Sequence, residues 1–226
     1  MNTRLGLGKI AGIPIFIDMM FVLVLVVFSH RYFTSGDSQV MSAGLLIIAG
    51  MIGSILLHEL GHAFAARLFK TGVREIELTG LGGVTHFDSS LPRSVLRRVV
   101  IFLAGPAANL ALYFGCDAFA HLAMTGGKPL VAGILYQLAI INFFFMAFNL
   151  LPAYPLDGGH TLDAILVKLL GAQWGQRIVG GFGIIVALVL VFFAIRALPS
   201  SIFLLLLALF LAEVNWGVLQ ATGIGR

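Results

Sequence analysis

Charge is what this sequence has least of. Only 11% of its 226 residues are Asp, Glu, Lys or Arg, against about 25% in a soluble globular domain. That excludes a fold built mainly against water. Cysteine is nearly absent too: a lone Cys116 allows no intrachain disulfide and no CxxC metal site. No hydrophilic stretch approaches the roughly 50 residues of a soluble domain, and no internal repeat or low-complexity tract stands out. The net charge of +4 is no signature of nucleic-acid binding, because of where the basic residues fall.

What is present is apolar. Hydrophobic residues make up 59% of the chain and the mean hydropathy is +1.02. A helix needs roughly 20 mostly apolar residues to cross a bilayer. Six segments qualify, at about 14–33, 41–69, 97–123, 130–151, 178–198 and 201–220. The first is expected to be a span rather than a cleaved signal peptide. It starts late, further spans follow, and "SHRYFTSGDS" stands where a small-residue cleavage site would be.

With the N-terminus in the cytoplasm, Arg4, Lys9, Lys168, Arg177 and Arg226 all fall inside. So do the six basic residues between the second and third spans, from Arg67 to Arg98. Arg31, Lys128 and Arg196 fall outside. That is the positive-inside bias of a multi-pass protein. The expected fold is therefore an all-α polytopic membrane protein of about six helices, a single domain over 1–226.

Three stretches depart from plain helix. "RLGLGKIAGIPIFID" (4–18) carries glycines, Pro14 and β-branched residues, as a hairpin does. In 73–90, Val73 to Leu78 partly alternate apolar and charged, and the glycines at 80, 82 and 83 break any helix. In "FNLLPAYPLDGGH", Pro152 and Pro155 end the fourth helix and Gly158 and Gly159 follow. Irregular backbone at membrane depth survives where protein or a watered cavity satisfies it. The three stretches therefore suggest a cleft open toward the cytoplasmic side.

The second span ends in HELGH. His58 and His62 lie four residues apart, a net helical offset of about 40°, so both imidazoles share a face. Two such nitrogens can reach one zinc ion, and Glu59 beside them can hold and deprotonate a water. Histidine and glutamate are costly inside a span and are seldom idle there. Catalytic zinc takes a third protein ligand and leaves a position open. Asp157 is the best candidate, since it falls on the same side of the membrane as the histidines. Asp117 and Glu213 are weaker rivals that would serve as buried hydrogen-bonding groups or gates. His86, His121 and His160 are expected in loops or behind the ligands, with His160 near enough to Asp157 to support it. "AGPAANL" (104–110) suits close packing against the HELGH helix, with Pro106 kinking its own helix and Asn109 bonding a ligand from behind.

HELGH at the end of a span, "GLGGV" after it, "AGPAANL" in the next and "FNLLPAYPLDGG" in the fourth together resemble the site-2 proteases. These are membrane-embedded zinc metalloproteases of regulated intramembrane proteolysis. The resemblance runs in order from about residue 4 to 160. It implies one zinc ion per chain, held by His58, His62 and Asp157, with Glu59 as general base. It implies that Asn149 contacts substrate backbone or the developing oxyanion, and that 80–83 lines the substrate cleft. The implied partners are a transmembrane protein substrate and the lipid bilayer, in a bacterial or archaeal cell membrane. Nothing here matches the PDZ or CBS modules of some members, so a minimal form is expected. The competing expectations are a non-proteolytic zinc-containing membrane protein that binds client helices, and a metal transporter.

Overall fold

The computed structural model describes residues 4–88, 90–196 and 201–223. Ser89, Arg226 and the last two residues of the expected fifth span lie outside them. The chain forms two compact units. One comprises Met1–Leu91 with Ala104–Met146, the other Pro92–Leu103 with Ala147–Arg226.

In the first unit, β1 (Arg4–Ile10) and β2 (Ile13–Asp18) form the expected hairpin. Its turn places Ala11 and Gly12 at positive φ, 49° and 79°, and glycine at the second position removes half of that strain. Helix α1 (Met19–Phe33) follows, then α2 (Ser38–Leu68), with the Asp37 carboxylate accepting from Gln39 N at 2.7 Å to cap it. β3 (Val73–Thr79) and β4 (Gly82–Phe87) are the second expected hairpin.

The two hairpins are not separate. β2 and β3 pair in parallel through Ile15–Ile76, Phe16–Glu77 and Ile17–Leu78, giving one four-stranded sheet in the order β1-β2-β3-β4. Strand periodicity sorts its faces. Ile13, Ile15, Ile76 and Leu78 point one way, fully or almost fully buried with Leu60 and Ala63 of α2. Glu75 and Glu77 point the other way. There Arg4 donates to both, at 3.0 and 3.4 Å, and His86 lies 3.2 Å from Glu77. His86 is thus a strand residue in an ion-pair group rather than a loop residue. At the far end of α2, Arg67 donates to the Ala11 carbonyl at 2.7 Å and ties the first turn to the helix.

α3 (Val95–Thr125) and α4 (Pro129–Asn149) belong mostly to the first unit. The second unit contains α5 (Asp157–Leu170), α6 (Ala172–Arg196) and α7 (Ile202–Ala221). Its core joins Ala153, Leu156, Ala187 and Leu211. α5 is not among the expected segments. Gly158 and Gly159 fall in the stretch expected to depart from helix, yet they lie in its first turn. A Cβ on Gly159 would lie 2.5 Å from the Ala153 carbonyl, so the glycine admits the loop against the helix rather than ending it.

Among the described residues, five helices, α2, α3, α4, α6 and α7, are long and apolar enough to cross a membrane. The expected first span is shorter than its hydropathy implied, because residues 13–18 extend into β2 and leave α1 only 15 residues. Leu188, Phe192 and Ile195 of α6 are each more than half exposed, as lipid-facing residues of an integral membrane protein are.

Candidate active site

The 31-residue helix α2 carries the apolar run and the chemistry together. His58, Glu59 and His62 are 7%, 4% and 6% exposed, so three polar side chains are withdrawn from solvent within two turns. Burial on this scale is tolerated only with partners. Partners come from α3 and β4 of the same unit.

The Nε2 atoms of His58 and His62 face each other at 3.1 Å. Two nitrogens bound tetrahedrally to one zinc ion at 2.0–2.1 Å would stand about 3.3 Å apart. Gly105 of α3 faces them. A Cβ there would sit 2.7 Å from His58 Nε2 and closer still to His62 Nε2. The close approach is reciprocal, since a Cβ on Gly61 would lie 2.6 Å from the Ala104 carbonyl oxygen. The glycines let the two backbones meet, as expected for "AGPAANL", and leave space where the imidazole nitrogens converge. The ligand atoms of His58, Glu59 and His62 all lie within 4.8 Å of one another. Imidazole and carboxylate donors around a cleared space fit a divalent metal.

Glu59 faces β4. The Thr85 hydroxyl lies 2.7 Å from its Oε2 and 3.1 Å from its carbonyl oxygen, and Gly83 packs against the carboxylate. Behind the histidines, Asn109 Oδ1 lies 2.5 Å from His58 Nδ1. Asn109 Nδ2 donates to Asn142 Oδ1 at 2.9 Å, and Asn142 Nδ2 donates to Ser54 Oγ at 2.9 Å. Asn109 thus bonds His58 on the side away from His62 Nε2. Thr85, Asn142 and Ser54 are additions the sequence reading missed. The one signal available was polarity inside apolar runs, which marks Asn142 in "AIINFFFMAFN" as a group needing a partner.

In the second unit, Asn149 ends α4 and Asp157 begins α5, both partly buried. The loop joining them is braced on both faces. Asn215 of α7 accepts from Tyr154 N at 3.1 Å and donates to Tyr154 O at 2.8 Å. The Tyr154 hydroxyl donates to Asp163 at 2.7 Å, and Arg98 reaches the other Asp163 oxygen at 3.5 Å. Burial, then the bond to Asp163, pushes the Tyr154 phenol well above its ordinary pKa. His160 stacks on Phe102 with ring centroids 4.9 Å apart. Among the weaker rivals, Glu213 is exposed rather than a buried bonding group, and that role falls to Asn215. Asp117 lies 3.8 Å from His121 in an i,i+4 pair on α3.

This arrangement can be compared with known proteins. The chain is 33% identical over 213 residues to the zinc metalloprotease MJ0392 of Methanocaldococcus jannaschii, covering 93% of this chain and 59% of that protein. It is 29% identical over 124 residues to stage IV sporulation protein FB of Bacillus subtilis, covering 55% of this chain and 41% of that protein. It therefore spans less than two thirds of the length of these relatives. Among solved structures, the site-2 protease from Methanocaldococcus jannaschii superposes with a TM-score of 0.68 at 29% identity, covering 99% of this chain and 97% of that one. The sequence model of Peptidase family M50 matches residues 46–131 and 124–194, a range that takes in the buried histidines, Glu59, Asn109 and the braced loop. The motifs, the fold and the family match agree, and the chain belongs to Peptidase family M50, the site-2 proteases.

Proposed function

We propose that this chain is an intramembrane zinc metalloprotease that hydrolyses peptide bonds within or next to transmembrane segments of other membrane proteins. The observation that carries the reading is Glu59, buried beside two converging imidazoles with its carboxylate held by Thr85. His58 and His62 supply two metal ligands. Asp157 supplies the third, a reading supported by the need of catalytic zinc for three protein ligands and by the NLLPxxPxDGG resemblance. Both units then act as one metalloprotease domain.

Zinc held there would acidify water toward a pKa of about 7 and polarise the scissile carbonyl. Glu59 takes the proton of the attacking water and returns it to the leaving nitrogen. Thr85 holds the carboxylate for that exchange. Asn149 donates a hydrogen bond where negative charge develops on the substrate oxygen, an interaction worth about 3–4 kcal/mol in other hydrolases. A helical substrate hides its carbonyls, so a segment must unwind first. β4 is an end strand of the described sheet and lies against Glu59, so an extended substrate can add to it as a further strand. Substrates with Gly, Pro, Asn or Ser near the cut are favoured for this reason. The basic residues between α2 and α3 support a cytoplasmic N-terminus and a site opening toward the cytoplasm.

The test is Glu59→Gln in the full chain, reconstituted in liposomes with a single-span protein whose span contains Gly and Pro. Cleavage is expected to fall by roughly 10²–10⁴-fold with zinc content unchanged. Unchanged cleavage overturns the protease reading.

A further inference from the structure

We infer that Asn109, Asn142 and Ser54 form a one-way hydrogen-bond chain that keeps the proton on His58 Nδ1 and presents its Nε2 lone pair to the metal. The sense of the chain follows from its carbonyl ends, because a carbonyl oxygen only accepts. The Ser54 hydroxyl donates to the Gly50 carbonyl at 2.8 Å. Its oxygen is then free to accept only from a donor, which is Asn142 Nδ2 at 2.9 Å. The same nitrogen donates to the Leu138 carbonyl at 2.8 Å, so reversing the Asn142 amide would lose that bond and draw the Ser54 hydroxyl off the Gly50 carbonyl. Asn142 Oδ1 must therefore face Asn109.

The argument repeats one step along. Asn109 Nδ2 donates to Asn142 Oδ1 at 2.9 Å and reaches the Ser54 carbonyl at 3.4 Å. Its Oδ1 is left facing His58 Nδ1 at 2.5 Å, and an amide oxygen can only accept. The proton is therefore on Nδ1. Three backbone carbonyls, of Gly50, Ser54 and Leu138, dictate the tautomer of a histidine on α2.

The chain sits where such control is effective. Asn109 and Asn142 are 0% and 1% exposed and Ser54 is 4% exposed, so no water competes for these groups. A buried network with every member satisfied specifies one arrangement. Each residue comes from a different place: Ser54 lies one turn before His58 on α2, Asn109 on α3, Asn142 on α4. α4 thus acts on the metal site through Asn142 without touching it. Asn109 and Asn142 are positioning residues, and a hydrogen-bond partner behind a ligating histidine commonly changes metal affinity 10–100-fold.

This inference rests on His58 being a metal ligand, as in the reading above, but its readout is separate from proteolysis. Zinc affinity of the full chain in detergent would be measured by chelator competition for Asn109→Leu, Asn109→Asp and Asn142→Leu. Asn109→Leu is expected to lose 10–100-fold. Asn109→Asp keeps an acceptor facing Nδ1 but sets a second oxygen against Asn142 Oδ1 in place of a donor, so its affinity is expected to fall between those of Asn109→Leu and wild type. Asn142→Leu, which does not touch His58, is expected to lose roughly fivefold or more. In parallel, nitrogen NMR of the wild-type chain with isotope-labelled histidine and cadmium in place of zinc should show metal coupling at His58 Nε2 and a proton on Nδ1. Coupling at Nδ1, or equal affinities for Asn109→Leu and wild type, overturns the chain. If a variant fails to fold, the wild-type spectrum alone decides. The expected spectrum and affinities without any substrate cleavage would instead count against the protease reading.

Discussion

Gly105→Ala adds one methyl group at the point where the two imidazoles converge. The new Cβ would stand 2.7 Å from His58 Nε2, against a comfortable contact of about 3.5 Å, so a ring must retreat by roughly 0.8 Å. For the fold this is cheap. The atoms met are side-chain ends, and alanine is the better helix former by about 0.5–1 kcal/mol. For a metal it is not, because ligand distances hold to about ±0.2 Å. The displacement is several times that tolerance and affects both histidines. The expected result is a loss of zinc affinity of at least 100-fold, about 2.8 kcal/mol, with thermal unfolding of the metal-free chain unchanged or slightly raised. The assay is partition of zinc between the purified chain in detergent and a chromophoric chelator. Gly115→Ala is the control: it lies on the same helix, and a Cβ there meets nothing within 4 Å. If Gly105→Ala binds zinc within threefold of wild type, the claim that this glycine clears the metal's place is wrong.

Thr85→Val removes the donor to Glu59 while keeping side-chain shape. Steady-state cleavage should show kcat down roughly tenfold with KM unchanged, and Thr85→Ser should restore it. Asn215→Leu leaves the Tyr154 amide and carbonyl unpaired in a buried place and should cost about 1–3 kcal/mol, read as a lower Tm. Gly183→Ala should do the same, because a Cβ there runs into the Asn215 amide. The raised Tyr154 pKa makes a pH prediction. The native phenol stays protonated above its ordinary value of 10.0, while the unfolded chain releases the proton. Its contribution is therefore complete below about pH 10 and is lost as pH rises further, by up to about 1.4 kcal/mol per pH unit. Tyr154→Phe should flatten the alkaline limb of the unfolding curve.

The shared face of His58 and His62 on α2 was legible because it depends on local periodicity: positions 58 and 62 lie together on the helix whatever surrounds them. The two hairpins were legible for the same reason, from alternation and turn glycines. The pairing of β2 with β3 was not, since nothing within either strand records a neighbour more than 50 residues away. α5 was missed because glycine has two meanings. At 158 and 159 the helix needs the absence of a side chain so that Leu150–Tyr154 can lie against it, and composition reads the same residues as breakers. Asn142 was visible as a polar residue in an apolar span, but its partner lies on another helix, and a single sequence does not name it. Glu213 attracted attention as an acid in a span, yet the neighbouring Asn215 is the residue that bonds.

The parallel ladder between β2 and β3 constrains how this chain enters its membrane. Two hydrogen-bonded strands must end up on the same side of the lipid, so the chain makes an even number of crossings between residues 18 and 73. If α2 makes one crossing, α1, only about 22 Å long at 1.5 Å per residue, is the remaining apolar helix in that interval that would have to supply the return. An α1 left unthreaded would strand the first hairpin across the bilayer from its mate. Closure of the sheet thereby registers whether insertion of the first two helices succeeded, before the wall that holds Glu59 can be completed.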